Sequence, residues 1–214
     1  MAHKILKNLI FDLGGVIINL DFNLTIEKFA HYTDNTPNLI IDSWRDNFEL
    51  FSQYEIGAIT HPQFISGIQK MYQDISEDKI NEAWCAMLLD LPFERLEMLK
   101  RLKQKYNLVL LSNTNHQHIE SFNQILDNAG IDDFHQHFHQ VYYSYEIGLR
   151  KPEAEVFEFV LEQHNFEPDQ TMFIDDSIEN CDAAEALGMQ VYRVTRNQLP
   201  LDFLDNGAGT SRPA

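Results

Sequence analysis

The sequence predicts an α/β fold: a parallel β-sheet with helices on both faces and an α-helical module inserted after the first strand. Two observations predict this fold. Short apolar runs alternate with helical patterns of ordinary length along most of the chain, as in parallel sheets covered by helices. The alternation is interrupted once, between about Asn19 and Asp90, by about 70 residues, far more than a connection between neighbouring strands needs.

Five short apolar runs are predicted to be the strands of this sheet. Each run is four or five residues long, which is typical of strands buried on both faces. The runs are NLIF (8–11), NLVLL (107–111), QVYYS (140–144), TMFI (171–174) and QVYRV (190–194).

Helical patterns separate most of these runs. Residues 92–106 place several leucines on one face of a helix. Residues 152–164 have apolar side chains at helical spacing, and Pro152 is expected in the first turn of that helix. The pattern over 177–188 is expected to end at Gly188, a residue typical of helix C-terminal caps.

The interruption between about Asn19 and Asp90 is predicted to be helical throughout. The segments LTIEKFAHY, PNLIIDSWRDNFELFSQYEIG, HPQFISGIQKMYQ and EDKINEAWCAMLLD show helical periodicity, and none is a convincing strand. We therefore expect an inserted module of helices whose aromatic side chains form its own core. These side chains are Trp44, Phe48, Phe51, Tyr54 and Phe64.

The composition is acidic, which narrows the class of partners. The chain has 33 Asp and Glu against 16 Lys and Arg, a net charge of −17. Nucleic acids and anionic membrane surfaces are bound by clustered Lys and Arg, so neither is expected as a partner. A small anionic ligand would need positive groups concentrated at its own site, because the field of the whole protein repels it.

The cysteines and the apolar segments are the features from which the cellular compartment is predicted. Cys85 and Cys181 lie far apart without metal-ligand spacing, so neither a disulfide framework nor a zinc site is predicted. The start, MAHKILKN, does not read as a signal peptide, and no uncharged apolar segment reaches the roughly 18 residues of a membrane helix. A cytoplasmic monomer or homodimer is predicted, and the sequence does not decide between these two states.

Polar residues stand where the predicted strands end. Ligands of open parallel sheets bind beyond the carboxyl ends of the strands, so these residues are expected to gather at one edge. Asp12 is the most informative, because a carboxylate at the tip of an apolar run is costly to bury without a partner. The set comprises Asp12, Ser112, Asn113, Asp175 and Asp176, with Lys151 in the loop YEIGLRKPE after the third strand.

Each of these residues also has a purely structural explanation. Ser112 with Asn113, and Asp176 with Ser177, could simply cap helices. Lys151, taken alone, could be a solvated surface lysine. Neither helix nor cap formation requires all of these residues together, in this order and each beyond a strand. Their joint occurrence therefore favours a functional site.

Four short motifs make the resemblance to a known family specific. FDLGGV, LLSNT, RKP and FIDDS resemble the four motifs of the haloacid dehalogenase-like hydrolase superfamily, over nearly the whole chain from Leu9 to about Val194. The long gap after the first strand resembles the helical cap of one subgroup. The resemblance implies a Rossmann-like core formed by residues 1–17 and 91–214, and a cap of four or five helices over 18–90.

The resemblance also implies roles for the strand-end residues. Asp12 would be the nucleophile that accepts a phosphoryl group, and water would then hydrolyse the aspartyl-phosphate. Magnesium (Mg2+) would be held by Asp12, the backbone carbonyl of Gly14 and Asp176, since this ion prefers oxygen ligands. Asp175 would either hold the groups that bind the ion without touching the ion itself, or bind the ion through a water molecule.

The substrate phosphoryl group would be held by the remaining motif residues. Ser112 and the backbone N–H of Asn113 would donate hydrogen bonds to it at a helix start, a natural anion site. Lys151 would bridge the nucleophile and the phosphate as a point charge. The expected partner is a small phosphorylated metabolite. These groups would supply the local positive charge that the acidic chain otherwise lacks.

The sequence departs from the family pattern at Gly14, where most phosphatases of the superfamily have an aspartate that acts as general acid and base. General acid–base assistance is typically worth about 10²–10⁴-fold in rate. The leaving group could need less protonation, as the anomeric oxygen of a sugar 1-phosphate does. Another side chain could replace the aspartate, with Asp21, Asn115 and His118 as candidates. The protein could also be a weak or inactive member.

Beyond the four motifs, the closest resemblance is to phosphatases that share this glycine. DLGGVIINLDF, LSNTNHQH and GLRKPEAEVFEFVL resemble bacterial α-D-glucose-1-phosphate phosphatases, and also the phosphatase-type domain of soluble epoxide hydrolases. The expected activity is magnesium-dependent hydrolysis of small phosphomonoesters, such as the sugar phosphate glucose 1-phosphate.

Two other functions remain open on the same scaffold. A 2-haloacid dehalogenase would use the same nucleophile without a metal. The adjacent carboxylates of FIDDS disfavour a dehalogenase. They suit the binding of a cation, and in a metal-free site they would repel an anionic substrate. A catalytically weak binding or regulatory protein is suggested by Gly14, but Asp12, Lys151 and Asp176 are all present.

Overall fold

The computed structural model describes residues 5–195 and 204, and these contain five strands and ten α-helices. All five predicted apolar runs form strands, with ends within one residue of the prediction. The strands are β1 (Asn8–Phe11), β2 (Asn107–Ser112), β3 (Gln140–Tyr143), β4 (Thr171–Asp175) and β5 (Gln190–Arg193).

The strands form one parallel sheet in the order β3-β2-β1-β4-β5. The central strand β1 pairs with β2 on one side and β4 on the other, so that Asn8 lies opposite both Asn107 and Thr171. Strands β2 and β3 lie on one side of β1, and β4 and β5 lie on the other side. The carboxyl end of β1 therefore lies where the chain reverses direction across the sheet, the usual ligand position of such folds.

The helices fall into an inserted group and a group that belongs to the sheet. The inserted group is α1 (Phe22–Tyr32), α2 (Pro37–Asp46), α3 (Phe48–Glu55), α4 (His61–Met71) and α5 (Glu77–Cys85). The others are α6 (Phe93–Lys103), α7 (His116–Asn128), α8 (Ser144–Ile147), α9 (Ala154–His164) and α10 (Ile178–Ala186). Two short 3-10 helices span His135–His137 and Pro168–Gln170.

Helices cover both faces of the sheet, because successive strand side chains point to opposite faces. Leu9 and Phe11 of β1 pack with residues of α6 and α7, while Ile10 packs with residues of α9 and α10. All four residues of β1 are buried. The predicted α/β class, with a parallel sheet between two helical layers, is confirmed.

The five inserted helices share a hydrophobic cluster of their own. Trp44, Phe51, Tyr54 and Phe64 are buried in this cluster, as expected. The prediction for Phe48 was wrong, since its side chain is 55% exposed at the start of α3. The division into a core of residues 1–17 and 91–214 and a cap of residues 18–90 stays a prediction, and residues 196–203 and 205–214 lie outside the described residues.

Two helix ends test the expectations for Pro and Gly. Pro152 does not lie in the first turn of its helix, because α9 begins at Ala154 with Glu153 as the N-cap. Gly188 follows the end of α10 with a φ of +86°, the left-handed conformation that favours glycine. Over the described part of the chain, no helix is both long and apolar enough to span a membrane.

Candidate active site

Asp12 is the first residue beyond the central strand and is nearly buried. Its backbone N–H donates to the carbonyl of Ile174, which extends the ladder between β1 and β4 by one bond of 2.9 Å. The residue is only 9% exposed. A carboxylate in this position needs a partner, and one is present.

The partner is Lys151, whose ammonium group lies between two carboxylates. Nζ is 2.7 Å from Asp12 Oδ1 and 2.8 Å from Asp175 Oδ2, and the lysine is 1% exposed. Burial by itself lowers the pKa of Lys151, but the charges of Asp12 and Asp175 outweigh it and hold that pKa above its usual value. Lys151 is therefore a charged group in the interior and not a solvated surface lysine.

The backbone of Lys151 is held by the side chain of Asn113. The peptide N–H of Lys151 donates to Asn113 Oδ1 at 2.9 Å, and Asn113 Nδ2 donates to the Lys151 carbonyl at 2.8 Å. This pair of bonds connects the loop after β2 to the loop that carries the lysine. This contact of the Asn113 side chain, 38 positions away from Lys151, has no signal in the local sequence.

Asp175 is held by several donors besides Lys151. Oδ1 accepts from the backbone N–H of Ser177 at 2.8 Å, and Asn180 Nδ2 lies 3.2 Å from Oδ1 and 3.0 Å from Oδ2. Both oxygens are thus engaged by the protein, and the residue is fully buried. Asp175 fits a role in orienting the lysine and the neighbouring loop better than direct coordination of a cation.

Asp12, Asp175 and Asp176 form an acidic cluster whose oxygens lie within 4.8 Å of one another. Burial, followed by the charges of Asp175 and Asp176, raises the pKa of Asp12 to about 7 despite the opposing effect of Lys151. Partial burial and the charge of Asp175 likewise raise the pKa of Asp176. Three carboxylates beside one ammonium leave an excess of negative charge, which a divalent cation would neutralise.

The donor set and the space around it both fit a magnesium ion. Within the described residues, no hydrogen bond to Asp12 Oδ2 is found, and no side chain donates one to the carboxylate of Asp176. Carboxylate oxygens with few protein donors are the ligands that magnesium uses. Gly15 keeps the space beside Asp176 open, since a Cβ at this position would overlap the Asp176 carboxylate.

The predicted phosphate-binding residues lie at the end of β2 and do not cap a helix. Ser112 is 3% exposed, and no hydrogen bond to its hydroxyl is found within the described residues. Helix α7 begins at His116 and is capped by Asn115, so Asn113 lies before the helix and not at its first turn. Ser177 caps α10, whereas Asp176 does not.

Comparison with known proteins identifies the family. The haloacid dehalogenase-like hydrolases match this chain over residues 6–188, which is most of its length. The chain belongs to this family. The match includes β1 to β4 and the whole acidic cluster.

Similar proteins from this hydrolase family include a phosphatase and magnesium-bound structures. The D-ribitol-5-phosphate phosphatase of Bacteroides thetaiotaomicron is 23% identical over 189 residues, 88% of this chain and 91% of that protein. A HAD family enzyme of the same organism, solved with magnesium, is 36% identical with a TM-score of 0.80, over 92% of this chain and 96% of that one. A dehalogenase structure, 16% identical over 92% of this chain and 88% of that one, has a TM-score of 0.60 and is similar in fold alone.

The residues that could replace an acid at position 14 of this hydrolase differ in what already binds them. His118 is half-buried, and this burial lowers its pKa to about 4, so its ring is neutral at physiological pH. Its Nε2 lies 3.0 Å from the Trp84 carbonyl and its Nδ1 3.2 Å from Asn115 Nδ2. Asn115 Oδ1 caps α7. Neither ring nitrogen of His118 is free for a leaving group.

Asp21, the third candidate, is also engaged. Its carboxylate accepts from the backbone N–H of Asn23 at 3.0 Å and so caps α1, the first helix of the inserted group. Gly14 itself has room for a larger side chain only if Leu20 moves, because a Cβ at position 14 would overlap Leu20 Cδ1. Leu20 is 38% exposed and can therefore be displaced toward solvent.

Proposed function

We propose that this protein is a magnesium-dependent phosphatase that hydrolyses small sugar or sugar-alcohol monophosphates through a phosphoryl intermediate on Asp12. The observation that carries the proposal is the buried ammonium of Lys151 between Asp12 and Asp175, with Asp176 at the same edge of the sheet. A carboxylate paired with a buried lysine and next to a cation site is suited to accept a phosphoryl group.

Three groups would bind the phosphoryl oxygens of the substrate. The Ser112 hydroxyl and the backbone N–H of Asn113 lie at the carboxyl end of β2, which is next to the end of β1 in the sheet. Lys151 Nζ would contribute a charge at the Asp12 carboxylate, from which it is 2.7 Å away. Because Asn113 also holds the backbone of Lys151, these donors are positioned before substrate arrives, which favours stabilisation of the transition state.

The reaction would proceed in two displacements at phosphorus. In the first, a carboxylate oxygen of Asp12 forms a bond to phosphorus while the bond to the leaving-group oxygen breaks, and that oxygen takes up a proton. In the second, a water oxygen forms a bond to phosphorus, the bond to Asp12 breaks, and inorganic phosphate leaves as the water proton is released. Glycine at position 14 means that the proton of the first step comes from water or from another side chain.

When bound, magnesium supplies charge neutralisation on the phosphoryl oxygens and shields Asp12 from the substrate anion. Asp12, Asp176 and the backbone carbonyl of Gly14 would hold it. Asp175 would act through Lys151, Ser177 and Asn180, to which it is bonded.

Replacing Gly15 with Ala is expected to weaken both the fold and magnesium binding. Gly15 has a φ of +70°, which costs other residues about 1–2 kcal/mol, and the added Cβ would displace the Asp176 carboxylate. Gly130→Ala is a matched control, because Gly130 has a φ of +69° but no atom within 4 Å of its Cβ position. Thermal unfolding should show a lower Tm than that of wild type in both variants. Calorimetric titration with magnesium should show weaker binding only in Gly15→Ala, and equal binding in both variants would contradict the role of Asp176.

The substrate class is the finer part of the proposal. The D-ribitol-5-phosphate phosphatase of B. thetaiotaomicron acts, by its name, on a small sugar-alcohol phosphate. Glucose 1-phosphate, expected from the resemblance at Gly14, has an anomeric leaving group that needs less protonation. Both compounds have an uncharged, hydroxylated leaving group, which suits a site whose acidic surroundings disfavour further anionic groups.

Restoring an acid at position 14 is expected to help poor leaving groups most. Gly14→Asp should be made together with Leu20→Ala, because Leu20 occupies the space that the new side chain needs. Relative to Leu20→Ala alone, we expect kcat for ribitol 5-phosphate to rise about 10²-fold, the lower end of the range of general acid catalysis. The rate for p-nitrophenyl phosphate, whose leaving group needs no proton, should change little. An equal gain on both substrates would count against the leaving-group explanation.

The activity is tested with a panel of phosphorylated metabolites and 2-haloacids, with magnesium and with EDTA. The proposal predicts phosphate release that requires magnesium, with preference for sugar and sugar-alcohol monophosphates. Halide release that persists in EDTA would instead support a dehalogenase. The adjacent carboxylates of Asp175 and Asp176 favour the phosphatase, since with Asp12 they exceed the single charge of Lys151 that a metal-free site would offer.

A further inference from the structure

One residue of the inserted helices, Glu55, bonds Arg150 in the loop of Lys151 and is linked to the loop after β2 through the Ser144 hydroxyl. The Ser144 hydroxyl lies 2.6 Å from the Glu55 carbonyl and accepts a hydrogen bond of 2.9 Å from the backbone N–H of Thr114. Thr114 directly follows Asn113. The Glu55 carboxylate accepts hydrogen bonds from Arg150, the residue before Lys151. Glu55 therefore connects the inserted helices to the two loops from which the candidate site is built.

The pair formed by Glu55 and Arg150 keeps unused hydrogen-bonding groups. Arg150 Nε and Nη2 both bond to the same oxygen, Glu55 Oε2, at 3.0 and 2.9 Å. In the part of the chain that the structure describes, Glu55 Oε1 and Arg150 Nη1 make no hydrogen bond. The two side chains are 26% and 15% exposed, so these free groups can be reached by a ligand. One free acceptor and one free donor in the same pair are suited to bind two hydroxyl groups of one ligand.

The carboxylate of Glu55 interacts electrostatically with Lys151 of the candidate active site. Burial raises the pKa of the Glu55 carboxyl, while Arg150 and, more weakly, Lys151 oppose this rise. The influence of Lys151 places the Glu55 carboxylate within the field of the group that bonds Asp12. Because Glu55 and Arg150 neutralise each other, the pair offers hydrogen bonds without a net charge.

Phe48 adds an apolar surface next to the pair. The guanidinium carbon of Arg150 lies 5.4 Å from the centre of the Phe48 ring, and the ring is 55% exposed. The incorrect prediction that Phe48 belongs to the core of the helices is thus explained by its position under Arg150. A small-molecule site combines such an apolar surface with a few polar groups that fix orientation.

We propose that Glu55, Arg150 and Phe48 form the subsite for the leaving group and select monophosphates whose leaving group is uncharged and carries several hydroxyls. The proposal rests on the proposed phosphatase function. Glu55 Oε1 accepts one hydroxyl of the leaving group, Arg150 Nη1 donates to another, and Phe48 covers the carbon chain. The neutral pair gives a second phosphate or a carboxylate no net attraction, so bisphosphates are poor substrates.

The test compares the Glu55→Gln variant with wild type on three substrates that differ in the leaving group. We expect kcat/KM for ribitol 5-phosphate to fall about 10–100-fold, the range for losing charged hydrogen bonds to a substrate hydroxyl. For p-nitrophenyl phosphate, which has no hydroxyl for the pair, kcat/KM should stay within about 3-fold of wild type, since no such bond is lost. Activity on fructose 1,6-bisphosphate should rise relative to the activity on the other two substrates. The neutral glutamine no longer cancels the positive charge of Arg150, which can then attract the second phosphate.

A matched control and a second variant keep the result interpretable. Glu49→Gln changes an exposed glutamate of the same helix that bonds only Gln53 among the described residues, and it should leave all three substrates unchanged. Glu55→Asp keeps the charge but shortens the side chain, and it should also lower the activity on ribitol 5-phosphate selectively. Thermal unfolding checks that each variant is folded.

The possible outcomes separate this subsite from the proposed function. An equal loss on all three substrates would mean that Glu55 and Arg150 only fasten the helices to the loop, and it would overturn the subsite. Unchanged activity on ribitol 5-phosphate would overturn it as well. If the wild-type protein releases no phosphate from any substrate with magnesium, the proposed function fails, and the subsite fails with it.

Discussion

Asp12→Asn is expected to reduce magnesium-dependent phosphate release by about 10⁴-fold or more, as the loss of a catalytic nucleophile does in other hydrolases. An amide cannot form the phosphoryl bond, but it has nearly the same size and can still accept a hydrogen bond from Lys151. The variant should therefore remain folded. Phosphate release with ribitol 5-phosphate measures the activity, and thermal unfolding measures the fold.

The control for this variant is an aspartate far from the cluster. Asp42 pairs with Arg45 on the surface of α2, and its side chain is 61% exposed. Asp42→Asn should have the activity of wild type. If Asp12→Asn retained a substantial fraction of the wild-type rate, Asp12 would not be the nucleophile.

Lys151→Met is expected to abolish activity and also to destabilise the fold. Methionine has similar length but leaves Asp175, which is 0% exposed, without its ammonium partner. Removing one partner of a buried ion pair typically costs about 3–5 kcal/mol. For a chain of this size such a loss corresponds to a decrease in Tm of roughly 6–20 °C. The measurement is thermal unfolding in EDTA, so that bound magnesium does not obscure the effect.

Lys28 provides the comparison for Lys151. It bonds Glu82 at 2.6 Å, a distance similar to those of Lys151, but the two side chains are 41% and 53% exposed. Exposed pairs contribute little to stability, so Lys28→Met should leave Tm nearly unchanged. Equal changes in Tm for the two lysine variants would contradict the account of Lys151 as a buried, essential charge.

The strands and the edge that carries the site could be predicted because their signals are local. Each strand is a short apolar run, and each polar residue follows its run directly, so Asp12, Ser112 and Asp175 were placed without knowing which strands pair. The order of the strands in the sheet could not be predicted in the same way. It depends on contacts between distant segments, such as Asn8 with Asn107 and Thr171, which have no counterpart in local periodicity.

The contacts that sequence reasoning missed join distant segments of the chain. Asn113 holds the backbone of a residue 38 positions away, and Glu55 pairs with Arg150 across 95 positions. Phe48 has the helical spacing of a core residue, but its ring lies at the surface next to the Arg150 guanidinium and is 55% exposed. In each case the partner is known only once these distant segments lie against each other.

The burial of Lys151 likewise could not be inferred from its neighbours in the sequence. The loop around it is polar enough for a surface position, and lysine is rarely buried without a partner. Asp12 and Asp175, which lie 139 and 24 positions away, provide that partner. The motif resemblance implied a role for the lysine, and the two carboxylates explain how it can be buried with its charge.

A crystal structure with magnesium and beryllium fluoride tests the central claim most directly, because this fluoride binds carboxylates in place of a phosphoryl group. We predict beryllium bonded to a carboxylate oxygen of Asp12, with Ser112 and Lys151 donating to its fluorides and magnesium between Asp12 and Asp176. Beryllium fluoride bound at another residue, or an Asp12 carboxylate left unmodified while the protein still releases phosphate, would contradict the account.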